Sequence, residues 1–258
     1  MQNENISIRQ IEEPVEKAKR LIGLKQAAFK DYIAARLLFL NSQLHQAAFF
    51  ANTCLEKEFK SCLYTLGVDV NIQHNTFKLL NLLSSVDKET FEKINPDFLK
   101  VLTKIYESRY HEGLNPGYNF VIIRRKFLAE LDYTYQILER KVRFKLSGID
   151  GNPPATTYEL SLKNKLPTII LDNYLYNDIS KEQFLQNKDD VFEFRMLFNH
   201  EVAEAYYTIP TNLDLVKFKY EALIPSNNGQ SYTISHHINN NENLMVTRNG
   251  VVMSRKIE

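Results

Sequence analysis

Most of the candidate ligand positions in this 258-residue chain carry positive charge. Arg109 and Tyr110 close a helical pattern one turn beyond the apolar Ile105. A guanidinium and a phenol at such an edge offer charge and stacking to a phosphate or a base. Glu56 and Lys60 stand four apart, in the order that favours an ion pair on a helix, worth about 0.3–0.5 kcal/mol when exposed. Alternatively, Glu56 turns inward and meets Arg109, whose planar fork suits a carboxylate. Arg124-Arg125-Lys126 opens a long helical pattern, where the helix dipole disfavours cations. That cluster therefore needs a carboxylate partner, a bound phosphate or nucleic acid, or a partner protein. Arg140-Lys141-x-Arg143-x-Lys145 closes the same pattern, where the dipole favours it.

Other chemistry is excluded by spacing. His236 and His237 adjoin in a strand pattern, so they point to opposite faces and cannot share a metal. Cys54 and Cys62, in one helical pattern, lie roughly 12 Å apart along the axis, too far to bridge. They also lack a CxxC partner. No GxGxxG, GxxxxGKS or GxSxG occurs. Neither a metal nor a cofactor is expected.

The residues just named need a scaffold, and the N-terminal half supplies five helical patterns. The first starts at about Pro14 or Lys25 and ends at Leu40; it is apolar on more than one face, which predicts burial on two sides and a homodimer through it. The second runs from about His45 to Leu66, with Ala47, Ala48 and Ala51 small enough for close helix approach. A short third carries Phe77, Leu80 and Leu83, with a helical turn near 88–94 after it. The fourth opens with Asn95 as cap and Pro96 in the first turn. The fifth is expected from near Asn119 to about Lys145, on a seam of Leu128, Leu131, Tyr135, Leu138 and Val142. Breakers crowd residues 147–157.

Beyond them the pattern is of strands. Candidates are Tyr158–Leu162, Thr168–Leu171, Phe192–Phe198, Val202–Ile209, Val216–Ile224, Tyr232–Ile238, Leu244–Arg248 and Val251–Ile257, with Asn249-Gly250 joining the last two as a hairpin. Helix stays open for Ser180–Leu185. The expected class is α+β: an antiparallel helical bundle over 1–146, a linker over 147–157, and a mainly antiparallel β domain over 158–258.

Charge divides at the same place. Residues 1–147 hold 22 basic against 17 acidic side chains and residues 148–258 hold 10 against 14, within a net charge of +1. There is thus no global basic field. With 44% hydrophobic residues the chain reads as neither disordered nor fibrous, and its apolar runs are too short to span a membrane. The opening MQNENISIRQIEEP lacks the basic-then-apolar pattern of a secretion signal, and with unpaired cysteines this predicts a reducing cytoplasm.

The helical half resembles the HEPN family over roughly residues 25–143. The resemblance rests on Ala34-Ala35-Arg36-Leu37-Leu38, on Gln46-Ala47-Ala48-Phe49-Phe50-Ala51, on Leu55-Glu56-Lys57-Glu58-Phe59-Lys60-Ser61-Cys62-Leu63, on His74 followed by Leu79, Leu80 and Leu82, and on Tyr106-Glu107-Ser108-Arg109-Tyr110, in that order. It implies a bundle of four or five helices that often works as a dimer. Many members resemble metal-independent ribonucleases that use Arg-x(4–6)-His on a helix, the His moving a proton and the Arg stabilising phosphorane charge. This chain departs from that motif, because Leu114, Asn115 and Pro116 stand where the His would follow Arg109. The one literal match, Arg195-Met-Leu-Phe-Asn-His200, falls in the β half, with Arg195 on a strand's outer face and His200 in a turn.

What the resemblance implies is a non-catalytic nucleotide- or nucleic-acid-binding or regulatory protein, of the kind found beside nucleotidyltransferases or in defence and toxin–antitoxin systems. The expected ligand residues are Arg109, Tyr110, Glu56, Lys60, Arg124 and Arg125. Expected partners are a nucleotide or RNA, a nucleotidyltransferase or antitoxin, and a second copy. Two alternatives are a divergent ribonuclease toxin using Arg195 and His200, and an adaptor whose β domain binds protein.

Overall fold

The structure is a computed structural model and describes residues 14–68, 70, 74–110, 114–142, 155–197, 202–209, 226–227, 231–232, 243–248 and 251–256. Helices α1 (Pro14–Leu40) and α2 (Leu44–Thr65) form an antiparallel hairpin. The reversal passes through Ser42 at φ 57°, and the Asn41 side chain donates to the Leu37 carbonyl at 2.7 Å. Ala47, Ala48 and Ala51 are fully buried, as small residues at a close helix contact must be. Helices α3 (Thr76–Val86), α4 (Lys88–Lys93) and α5 (Pro96–Glu107) follow, each with a side-chain N-cap: Asn75, Asp87 and Asn95. Phe98, Val101, Leu102 and Ile105 of α5 are buried against the bundle.

The expected fifth helix is shorter than its pattern. Residues 119–123 form strand β1 (Asn119–Ile123), and α6 (Arg124–Lys141) starts only after it. Phe120-Val121-Ile122-Ile123 is buried on both faces, so it shows no alternation and reads as an unpunctuated run. Gly117, at φ 84°, makes the turn into it, and its N–H donates to the Met196 carbonyl at 2.8 Å.

Two expected strands are helices as well. Helix α7 (Thr157–Lys163) is held by a capping box between Thr156 and Glu159, and α8 (Pro167–Ile170) has Pro167 in its first turn. These start signals outweigh the β preference of Thr, Tyr and Ile. Helix α9 (Lys181–Leu185), capped by Ser180, fills the segment left open.

Strands β2 (Asp189–Met196), β3 (Val202–Ile209), β6 (Asn243–Arg248) and β7 (Val251–Lys256) complete an antiparallel sheet in the order β1-β2-β3-β6-β7. A separate pair joins β4 (Ser226–Asn227) to β5 (Ser231–Tyr232). Arg248 faces Val251, so only two residues connect β6 to β7, as the hairpin signal requires. The α+β class holds: a helical bundle, then a mainly antiparallel sheet. The expected strand at 216–224, most of that at 232–238, and His200, His236 and His237 lie outside the described residues.

The sheet is seated on the bundle. Phe120 stacks on Phe194 at 4.9 Å between ring centroids, and both belong to one core with Leu55, Phe59 and Phe98. The second face of α1 is covered within the chain by α6, α7 and α8. Both cysteines are free and buried, and burial pushes the Cys62 thiol up to about 12. Among the described residues no helix is long and apolar enough to cross a membrane.

Candidate functional site

At the end of α5 the chain leaves an aromatic surface around one cation. Arg109 is exposed, and its Nε donates to the Tyr106 carbonyl at 3.1 Å. That bond lays the guanidinium over the Tyr106 ring, with its carbon 3.3 Å from the centroid. The rings of Tyr110 and Phe49 stand 5.5 and 5.8 Å from the same carbon. Tyr110 is 71% exposed. Arg109 is exposed, and among the described residues no carboxylate pairs with it.

The support beneath is rigid. His45, buried at the start of α2, has its ring 4.6 Å from Phe49 and stacks on Phe192 at 5.0 Å. Its Nε2 lies 3.0 Å from the Ser108 hydroxyl, which itself donates to the Ile105 carbonyl. The cation's platform is thus fixed from below by α2, by the last turn of α5 and by the sheet. His45 carried no mark in the sequence; only its neighbours in space give it a role.

Glu56 and Lys60 are not part of this surface. Lys60 donates to Glu56 at 2.8 Å, and His74 Nδ1 lies 2.9 Å from the same carboxylate oxygen. Glu56 follows Phe49 by two turns of α2, about 10 Å along the axis. The inward pairing of Glu56 with Arg109 does not form. Its carboxylate is taken up locally.

Arg124 and Arg125 receive carboxylates. Asp172 binds Arg124 Nη1 at 2.6 Å and Arg125 Nη1 at 3.1 Å. Asp189 and Asp190 stand 3.5 and 3.7 Å from Arg124 Nε, at ion-pair distance. Asp189 also accepts the Arg125 backbone N–H at 2.8 Å, which places a negative charge at the start of α6, where the helix dipole favours one. Burial pushes the Asp189 carboxyl up to about 7, although that N–H and both guanidinium groups pull the other way.

The bundle and the Tyr106–Tyr110 edge lie in a segment that is similar to a known domain. Residues 23–140 match the family model of the HEPN domain. The match takes in β1 and all but the last residue of α6, and it leaves out the helices and strands that follow. No curated protein and no solved structure matches the chain.

Arg195 lies beyond the HEPN match, half-buried near the end of β2, opposite Asn119 and Ala203 on the two flanking strands. Among the described residues no group of three metal-ligating side chains forms.

The helical bundle holds two buried charge networks that sequence reasoning missed. In the first, Arg36 on α1 pairs with Asp132 on α6, and the Tyr32 hydroxyl donates to the same carboxylate at 2.7 Å. Burial pushes the Asp132 carboxyl up while Arg36 and Tyr32 oppose it; the guanidinium, beside Asp132, is held above its ordinary value. In the second, Lys25 donates to Glu58 at 2.7 Å, with Glu139 close by. The available signal was a charged residue on an apolar helix face: Arg36 inside Ala34–Leu38, and Asp132 and Glu139 beside the α6 seam.

Proposed function

We propose that this protein is a non-catalytic nucleotide- or RNA-binding HEPN module whose ligand docks on Arg109, Tyr106 and Tyr110. The observation that carries this reading is the contrast between cations. Arg109 is exposed, backed by aromatic rings and unpaired with any described carboxylate, whereas Arg124 and Arg125 are held by Asp172. A phosphate can meet the guanidinium while a base stacks on the exposed Tyr110 ring, a sequence-tolerant contact worth about 1–3 kcal/mol per base. The absence of Arg-x(4–6)-His from the helical half supports binding without cleavage.

The reading includes association of two copies. The apolar side chains most open for it on α1 and α2 include Val15, Leu37 and Phe50. A nucleotidyltransferase or an antitoxin is the protein partner that the family resemblance suggests, and the cytoplasm the compartment.

Retention of single-stranded RNA as a function of salt tests the reading. The full chain should bind with a salt-dependent affinity, and Arg109→Ala should lower the slope of log K against log salt by about 0.7, the share of one phosphate contact. Cleavage of the RNA would favour the ribonuclease alternative. Absence of any RNA or nucleotide binding, with a co-purifying protein, would favour the adaptor.

A further inference from the structure

We propose that a cavity between α1, α6 and the start of α7 binds a small organic cation, a primary amine or a guanidinium, with Glu139 as its counter-ion. The cavity has a volume of about 180 Å³, and its walls include Lys25, Phe29, Tyr135, Glu139, Thr156 and Tyr158. Its walls share no residue with the Arg109 surface, and it does not depend on the function proposed for that surface.

The carboxylate of Glu139 is the reason. The residue is 1% exposed, and neither of its carboxylate oxygens has a hydrogen-bond partner. Buried charges are normally paired, and an uncompensated one is costly. Lys25 does not compensate it. Its ammonium goes to Glu58 Oε2 at 2.7 Å, and it reaches only the backbone carbonyl of Glu139, at 3.3 Å. Above about pH 7, where Glu58 has lost its proton, two buried carboxylates therefore share one lysine and a net negative charge is left beside the cavity.

The remaining walls select the kind of cation. Tyr135 and Tyr158 meet edge to face with ring centroids 5.3 Å apart, beside the apolar Phe29. Aromatic faces attract ammonium and guanidinium groups, and more strongly when these are desolvated. A bare divalent metal would want several oxygen ligands and finds one free carboxylate here. An anion would be repelled. An engineered cavity of about 150 Å³ admits benzene, so this one suits a ligand of about six heavy atoms. The ligand's charged end would sit on Glu139 and its carbon chain against the tyrosines.

Calorimetric titration and thermal melting of the full chain with 1,4-diaminobutane test this, against potassium chloride at equal ionic strength. The diamine should bind saturably and raise the melting temperature, and the salt should not. Glu139→Gln should weaken diamine binding about tenfold or more, as loss of a charged hydrogen bond does. Without diamine it should melt at or above the wild-type temperature, because the uncompensated charge is gone. Ala155→Phe, which narrows the cavity and leaves the carboxylate in place, should also abolish the diamine response. No saturable binding to wild type, undiminished binding to Glu139→Gln, or a Glu139→Gln chain less stable than wild type would overturn the proposal.

Discussion

Arg36 and Asp132 form an ion pair in which both side chains are completely buried. The remaining guanidinium donors do not stay in the bundle. Arg36 Nε donates to the Thr168 carbonyl at 2.6 Å and Nη2 to the Leu171 carbonyl. One side chain thereby ties α1 to α6 and to the segment around α8, beyond the HEPN match. Tyr158 adds a second tie, packed edge-on against Tyr32, which itself stacks on Tyr135 at 4.1 Å.

Removing one member of this pair leaves a buried charge without its partner. Arg36→Met should destabilise the chain by about 3–5 kcal/mol, read from urea unfolding. Adding Asp132→Leu should recover part of that loss, since the pair replaced as a unit leaves no orphaned charge. If the double variant is as unstable as the sum of the singles, the two residues do not act as a pair.

A chain ending at Lys145 should remain helical and melt cooperatively, because the contacts among α1, α2, α5 and α6 lie upstream of it. It should also be less stable than the full chain. Truncation uncovers Phe120 by removing Phe194, and it leaves two Arg36 donors without carbonyls. An unfolded product would show that 1–146 is no independent unit. A product of unchanged stability would show that the ties through Arg36 and Tyr158 contribute nothing.

Two buried acids make stability fall as pH rises through the mildly acidic range. Glu58 is pushed up to about 7 from an ordinary 4.5 by burial, with Lys25 opposing and Glu139 adding to the shift. Asp189 is pushed up to about 7 from 3.8, with burial outweighing the Arg125 N–H and the charges of Arg124 and Arg125. Folding holds each proton that the unfolded chain has already lost, so their penalty is absent below about pH 4 and complete above about pH 7. Each group can take away on the order of 3 kcal/mol across that window. Asp189→Asn, which keeps an acceptor for the Arg125 N–H, should flatten part of the fall in the urea midpoint between pH 5 and 7.5. An unchanged slope would mean that Asp189 is charged throughout.

Where the signal is local, the sequence shows the structure. Asn95-Pro96 marks the start of α5, Asn249-Gly250 joins β6 to β7, and the small alanines of α2 are fully buried. Strand β1 was hidden because its residues are buried on both faces and run straight into the basic start of α6. The capping box of Thr156 and Glu159 was present, yet the β-branched and aromatic residues around it carried the reading. At the candidate surface, Arg109 and Tyr110 were legible as a charge and a ring at a helix edge. Asp172 and Asp189 were not legible as partners of Arg124 and Arg125, because they lie 48 and 64 residues away with no pattern to connect them. The orphaned carboxylate of Glu139 depends on burial and on where Lys25 turns, and neither is written locally.

Arg109→Lys separates the proposed ligand role of Arg109 from a role in the fold. The lysine keeps the charge but loses the planar group that lies on Tyr106. Melting temperature and single-stranded RNA affinity should be measured on the same preparation of the full chain. The expected result is a melting temperature close to wild type with RNA binding weakened several-fold. A lowered melting temperature with binding lost only through unfolding, or unchanged binding, would contradict it.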